Sequence, residues 1–175
     1  MRGKKTLLID LDLKRNTHAA FYEARGKLGP ALDARAGGTS FYRVVAADRQ
    51  TLREHALTRH LVGPHLQVTA FNAGVVPPGG RVQISGDGAY WDALRAMGGV
   101  VAVDAPALER NPVALKLARH MDGVVLVVSP AALSAPAAME ARAALAQAGA
   151  NVVGIVFAQA SAEAIAIDKF TRRAS

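Results

Sequence analysis

Short, unbroken runs of β-branched and other apolar residues constrain this chain more than any other feature. Three stand out: residues 5–10 (KTLLID), 99–104 (GVVAVD) and 123–128 (GVVLVV). Residues 65–70 (HLQVTA) and 151–157 (NVVGIVF) share the same pattern. A strand wetted on one face alternates apolar and polar residues, whereas an unbroken run marks a strand buried on both faces, as in a parallel sheet. Between the runs the period changes to that of a helix. Residues 111–121 place Val113, Leu117 and Met121 on one face, and 134–148 form an alanine-rich helix with Ser134 as N-cap and Gly149 as its stop. Residues 88–97 give another, with Tyr90, Trp91, Leu94 and Met97 as its packing face. Strand and helix in alternation predict an α/β fold: a mainly parallel sheet of about five strands with right-handed crossovers, in a three-layer sandwich.

The remaining sequence is less patterned. Short helices are expected around Leu32, Tyr42 and residues 51–60, and the Gly- and Pro-dense stretch 72–87 (NAGVVPPGGRVQISGD) reads as a loop over a sheet edge. No repeat or linker interrupts residues 1–175, so one domain is expected. Cysteine is absent, which excludes disulfides, thiolate zinc sites and cysteine nucleophiles and points to a reducing compartment. The basic start leads into too few apolar residues for a signal peptide or a span, so the expected location is cytoplasmic, with peripheral contact at the inner membrane.

In parallel sheets ligands bind beyond the carboxyl ends of the strands, and two of these strands end in aspartate. In LLIDLDLKRN, residues 7–16, Asp10 and Asp12 stand two apart just past a strand. Carboxylates so spaced face one side and can organise the hydration shell of magnesium, or they can simply end the strand and cap the next helix. In VVAVDAPAL, four apolar residues precede Asp104, the form of a Walker B strand. Other residue types offer less. His18, His55, His60, His65 and His120 lack metal-ligand spacing, and Ser129 and Ser134 lack the glycines of a nucleophile elbow.

Taken in order, GKKTLLIDLDLKRN, NAGVVPPGG, VVAVDAPAL, LARHMDGVVLVVSPAALS and AQAGANVVGIVFAQA resemble the deviant Walker ATPases related to MinD and ParA. The branch they resemble most is that of the bacterial tyrosine kinases of capsule and exopolysaccharide synthesis. The resemblance runs through nearly the whole chain. It implies a P-loop NTPase-like fold, places Asp10 and Asp12 on the Walker A-prime motif and Asp104 on the Walker B aspartate, and makes these three the cofactor-binding candidates. Asp12 and Asp104 become the candidates for magnesium.

The departures matter as much. The family opens with a strand, a Gly-Lys-Ser/Thr loop and a helix ahead of the strand that here begins at Lys5, and GKKT at residues 3–6 precedes a strand instead of succeeding one. The position after Asp104 holds Ala105 where the kinase branch commonly has Thr, and Ala158-Gln159 stands where an Asn often contacts the base. No tyrosine comes after Tyr90, so the tyrosine-rich tail of the kinases is absent. The resemblance therefore implies a pseudo-ATPase with no catalytic residue and no cofactor, residual Mg-ATP or Mg-ADP binding being disfavoured.

The expected role is a non-catalytic partner in bacterial exopolysaccharide or capsule synthesis or export, in contact with membrane-associated machinery or a paralogous ATPase. A missing central strand would leave sheet edges unpaired, which also predicts a homo- or hetero-oligomer. One alternative is an active ATPase or tyrosine kinase whose P-loop lies upstream or on another chain. Another is a DNA- or membrane-surface binder of the ParA or MinD kind, suggested by a net charge of +7. Nucleic acid is disfavoured as a partner, because the basic residues are scattered singly and in pairs without interleaved aromatics.

Overall fold

The computed structural model describes residues 3–13, 15–48, 50–52, 56–129 and 135–158. They form, in chain order, β1 (Thr6–Asp10), α1 (Thr17–Glu23), β2 (Ala31–Asp33), β3 (Tyr42–Val45), β4 (Thr51–Leu52), β5 (Leu57–Leu61), β6 (Leu66–Phe71), β7 (Arg81–Ile84), α2 (Ala89–Ala96), β8 (Val100–Asp104), α3 (Val113–Leu117), β9 (Val124–Val128), α4 (Ala135–Gln147) and β10 (Val152–Phe157). The chain divides into two compact units, Met1–Val113 and Ala114–Ser175. The class is α/β.

The first unit is built on a mixed five-stranded sheet in the order β2-β5-β6-β1-β8. β1 lies between two parallel neighbours, with Thr6 opposite Leu66 on β6 and opposite Val100 on β8. β5 then pairs antiparallel with both β6 and β2. The expectation of a mainly parallel sheet holds for β6, β1 and β8, while the β5 and β2 side is antiparallel. Leu7 and Ile9, on one face of β1, are buried while Leu8 on the other is half-buried; on β6 the adjacent Val68 and Thr69 are both buried.

A second, antiparallel sheet in the order β4-β3-β7 lies in the same unit. Phe41, just before β3, is fully buried against Tyr90 and Trp91 of α2, with ring centroids 5.1 and 5.5 Å away. Tyr90, Trp91 and Leu94 are the packing face expected of this helix, while Met97 beyond its end is exposed. Each such buried side chain contributes about 1.5–3 kcal/mol of transfer free energy.

The segment between α1 and β6 departs from expectation. Helices expected around Leu32, Tyr42 and residues 51–60 are instead strands β2, β3, β4 and β5, and the supposed loop 72–87 contains β7. Pairing decides the outcome: β3 is held by β7 on one side and β4 on the other, and β5 by β6 and β2. Such contacts override the weak local preference of sequences like Leu57–Leu61.

The second unit contains a β-α-β arrangement of β9, α4 and β10, the two strands parallel with an irregularity between Val152 and Gly154. Leu145 of α4 is buried. Val125 and Val127 of β9 and Val153, Ile155, Val156 and Phe157 of β10 are exposed, as are Val100 and Val101 of β8. By their sequence these strands read as buried on both faces. They differ because, among the described residues, β8 is the last strand in its sheet and β9 and β10 pair only with each other. The proposed N-cap Ser134 lies outside the described residues.

Candidate functional site

β1 and β8 run parallel and stop together, so Asp10 and Asp104 stand opposite one another at their carboxyl ends. Residues paired across parallel strands share a face, which sets the two carboxylates side by side. Thr69 of β6 completes the corner: its hydroxyl accepts the Asp10 N–H at 3.1 Å. On the other side the Leu11 N–H donates to the Asp104 carbonyl at 2.9 Å, extending the ladder one step past β1.

Asp10 is 4% exposed. Its Oδ1 accepts the Asp12 N–H at 2.8 Å, folding the chain back in an Asx turn. Its Oδ2 is buried and has no hydrogen-bond partner among the described residues. Such an orphaned carboxylate oxygen costs free energy unless a proton, a cation or a donor reaches it.

The turn after β1 is closed by the Asp12 carbonyl, which accepts the N–H groups of Arg15 and Asn16 at 3.0 and 3.2 Å. The Asp12 carboxylate faces the Arg15 guanidinium at 3.7 Å. Asn16 then adopts a left-handed conformation, φ 48°, tolerated by Asn better than by most residues. Its side chain bridges to the end of β6, the amide donating to the Phe71 carbonyl and the carbonyl accepting the Phe71 N–H, both at 2.7 Å. This fixes the start of α1, which packs against β6. At the second residue of α1, His18 Nε2 comes to 2.8 Å from Asp104 Oδ2.

The structure thus brings Asp10 and Asp104 together, turns Asp12 toward Arg15, and sets His18 against the aspartate to which the resemblance gives magnesium. Among the described residues, no group of three or more His, Asp or Glu side chains is arranged to hold a metal ion. An imidazole on a carboxylate beside a second, buried carboxylate can instead hold and pass a proton. His18 gave no signal in the sequence, lying 86 positions from Asp104. Asn16 and Thr69 were also unmarked.

The other candidates fall elsewhere. Gly3 to Lys5 run straight into β1, the Lys5 carbonyl accepting the Val100 N–H at 2.8 Å and the Thr6 N–H donating to the His65 carbonyl at 2.7 Å. GKKT therefore leads into a strand, with Thr6 as its first residue, and does not have the strand–loop–helix placement of a phosphate loop. His60 sits between the Gly29 carbonyl and the Thr58 hydroxyl, each at 2.8 Å, a fold contact. In the Asp122-Gly123 turn the Asp122 carbonyl accepts from the Asn151 side chain at 2.9 Å. His55 and Gln159 lie outside the described residues. No protein-family model, curated protein or solved structure matches the chain.

Proposed function

We propose that this chain is a non-catalytic partner or regulatory protein, P-loop ATPase-like in architecture, serving bacterial exopolysaccharide or capsule synthesis or export. It acts on the cytoplasmic side, through contact with membrane-associated machinery or a paralogous ATPase. The observation that carries the reading is the His18–Asp104 contact at 2.8 Å. A magnesium-holding aspartate must offer its oxygens to the ion's hydration shell, and this one is engaged by an imidazole from α1. One oxygen of Asp10 is likewise engaged by the turn after β1, and Asp12 faces Arg15. The role itself rests on the resemblance of the motifs, since architecture alone does not specify function.

Calorimetric titration with ATP and with ADP in the presence of magnesium tests the non-catalytic half: no heat of binding below the millimolar range is expected. The partner half is tested by measuring hydrolysis by the paralogous ATPase of the same machinery with and without this chain, and an unchanged rate would sink it.

A second reading is favoured by the orphaned Asp10 Oδ2. A buried carboxylate oxygen without a partner suits a site completed from outside, as in an active ATPase or tyrosine kinase whose phosphate-binding loop lies upstream or on another chain. Micromolar nucleotide binding in the same titration would select it.

A further inference from the structure

We propose that His60 and Thr58 form a proton-sensing switch on β5, in which a proton taken up by the imidazole turns the Thr58 hydroxyl onto the Ala70 carbonyl of β6. His60 Nδ1 lies 2.8 Å from the Gly29 carbonyl, and Nε2 lies 2.8 Å from the Thr58 hydroxyl. Among the described residues the ring nitrogens meet only these two partners. The Thr58 hydroxyl is also within 3.2 Å of the Ala70 carbonyl.

The acceptors fix where each hydrogen lies. A carbonyl oxygen only accepts, so Nδ1 carries a hydrogen in the bond to Gly29. In the neutral ring Nε2 is then bare, and it accepts the hydrogen of the Thr58 hydroxyl. In the imidazolium Nε2 carries a hydrogen too and donates it to Thr58 Oγ1, so the hydroxyl must direct its own hydrogen elsewhere. The Ala70 carbonyl is the acceptor in reach. Both charge states thus keep both ring nitrogens satisfied, and the ring can gain a proton without orphaning a polar atom.

The switch reaches the candidate site through β6. Ala70, the register partner of Thr58, stands between Thr69, whose hydroxyl accepts the Asp10 N–H, and Phe71, which Asn16 holds. A hydrogen bond added to the Ala70 carbonyl arrives one residue from each of these anchorages. On the far side the Gly29 N–H donates to the Leu61 carbonyl at 2.8 Å, and a Cβ on Gly29 would lie 2.7 Å from that oxygen, so the connection from α1 to β2 is pressed against β5. The other titratable groups on the surrounding elements are already placed. Asp33, opposite Thr58 on β2, pairs with Arg35, and Arg59 projects from the opposite face of β5 and donates to the Asp33 carbonyl. Leu66 to Phe71 of β6 contain none. Arg25 lies over the Phe21 ring, Glu23 and Lys27 are exposed, Tyr22 is half-buried, and His18 meets Asp104. The switch rests on bonds within Met1–Val113 and not on the proposed function.

Nuclear magnetic resonance of the full chain between about pH 5 and 8, the range in which histidine ordinarily changes charge, tests this through the ring nitrogens and backbone carbonyl carbons. At the alkaline end His60 should carry its hydrogen on Nδ1, the less common tautomer of free histidine. On acidification Nε2 should gain one, and the Ala70 carbonyl carbon should shift with the same midpoint. His60→Asn identifies the ring signals by their loss and should abolish the Ala70 shift. Thr58→Val, which has no hydroxyl, should abolish it while the ring still titrates, and Thr58→Ser should restore it. The emission of Trp91 reports whether each variant is folded. A neutral His60 protonated on Nε2, an Ala70 signal that does not move with His60, or one that moves equally in Thr58→Val would overturn the proposal.

Discussion

Asn16 and Phe71 are joined by a reciprocal pair of hydrogen bonds, both 2.7 Å, in which one side-chain amide stands in for a neighbouring strand's backbone. The pair spans 55 positions and sets where α1 leaves the sheet. Asn16→Ala should destabilise the chain by about 2–3 kcal/mol, from two lost hydrogen bonds and the cost of a left-handed alanine. Asn16→Asp, which keeps the acceptor and loses the donor, should fall between. Urea unfolding curves check the order.

Removal of His18 should cost little. Its side chain and that of Asp104 are 31% and 57% exposed, and such pairs contribute under about 1 kcal/mol. His18→Ala frees the Asp104 carboxylate without disturbing the β1–β8 ladder. On the non-catalytic reading it should confer no nucleotide binding, and calorimetry with Mg-ATP checks this.

Tyr90 should make the fold sensitive to alkali. Burial pushes its phenol well above the ordinary value, against a smaller opposing effect of Arg59. Burial raises Tyr42 in the same direction. A group with a raised folded value lends stability fully below its unfolded value, here about pH 10, and loses it as pH climbs beyond that. Tyr90→Phe should cost about 1 kcal/mol at neutral pH, because the Ala34 carbonyl loses its donor at 3.2 Å. It should also shift alkaline unfolding to higher pH, readable by circular dichroism.

Trp91 is the only tryptophan, and its Nε1 is buried without a partner among the described residues. Its emission should be blue-shifted in the native state and move red on unfolding. Trp91→Phe removes an unsatisfied donor along with some volume, so its net cost should stay within about 1–2 kcal/mol. Leu94→Ala on the same helix should cost about 2–5 kcal/mol. A Trp91→Phe loss as large as that of Leu94→Ala would refute the orphaned donor.

Gly99 combines a φ of 99° with a Cβ position only 2.6 Å from the Lys5 carbonyl, the acceptor that starts the β1–β8 ladder. Gly99→Ala should lower stability by about 2–4 kcal/mol in denaturant melts.

Five strands were legible as apolar runs: Thr6–Asp10, Leu66–Phe71, Val100–Asp104, Val124–Val128 and Val152–Phe157. Helix α2 was legible from Tyr90, Trp91 and Leu94. Ala31–Asp33 was not, since all three residues are exposed and only the pairing with Thr58 to His60 makes them a strand. Arg81–Ile84 alternates as an antiparallel strand should, but two prolines and two glycines just before it masked the signal. At the site, the placing of Asp10 and Asp104 at strand ends was legible, while their pairing across neighbouring strands came from the structure. The approach of His18 was not, because it depends on where Asn16 anchors the helix.

The turn after β1 is held at both feet. Leu11 is tied to the Asp104 carbonyl and Asn16 to Phe71, while the Thr69 hydroxyl takes over from the backbone at Asp10. Residues spliced between those feet would give up the Asp12 carbonyl's hold on Arg15 and Asn16 while leaving the bonds at Leu11 and at the Asn16 side chain in place. A short peptide tag or a fluorophore-binding sequence inserted there would hang directly above Asp10 and Asp104, a reporter stationed at the strand tips by the sheet itself.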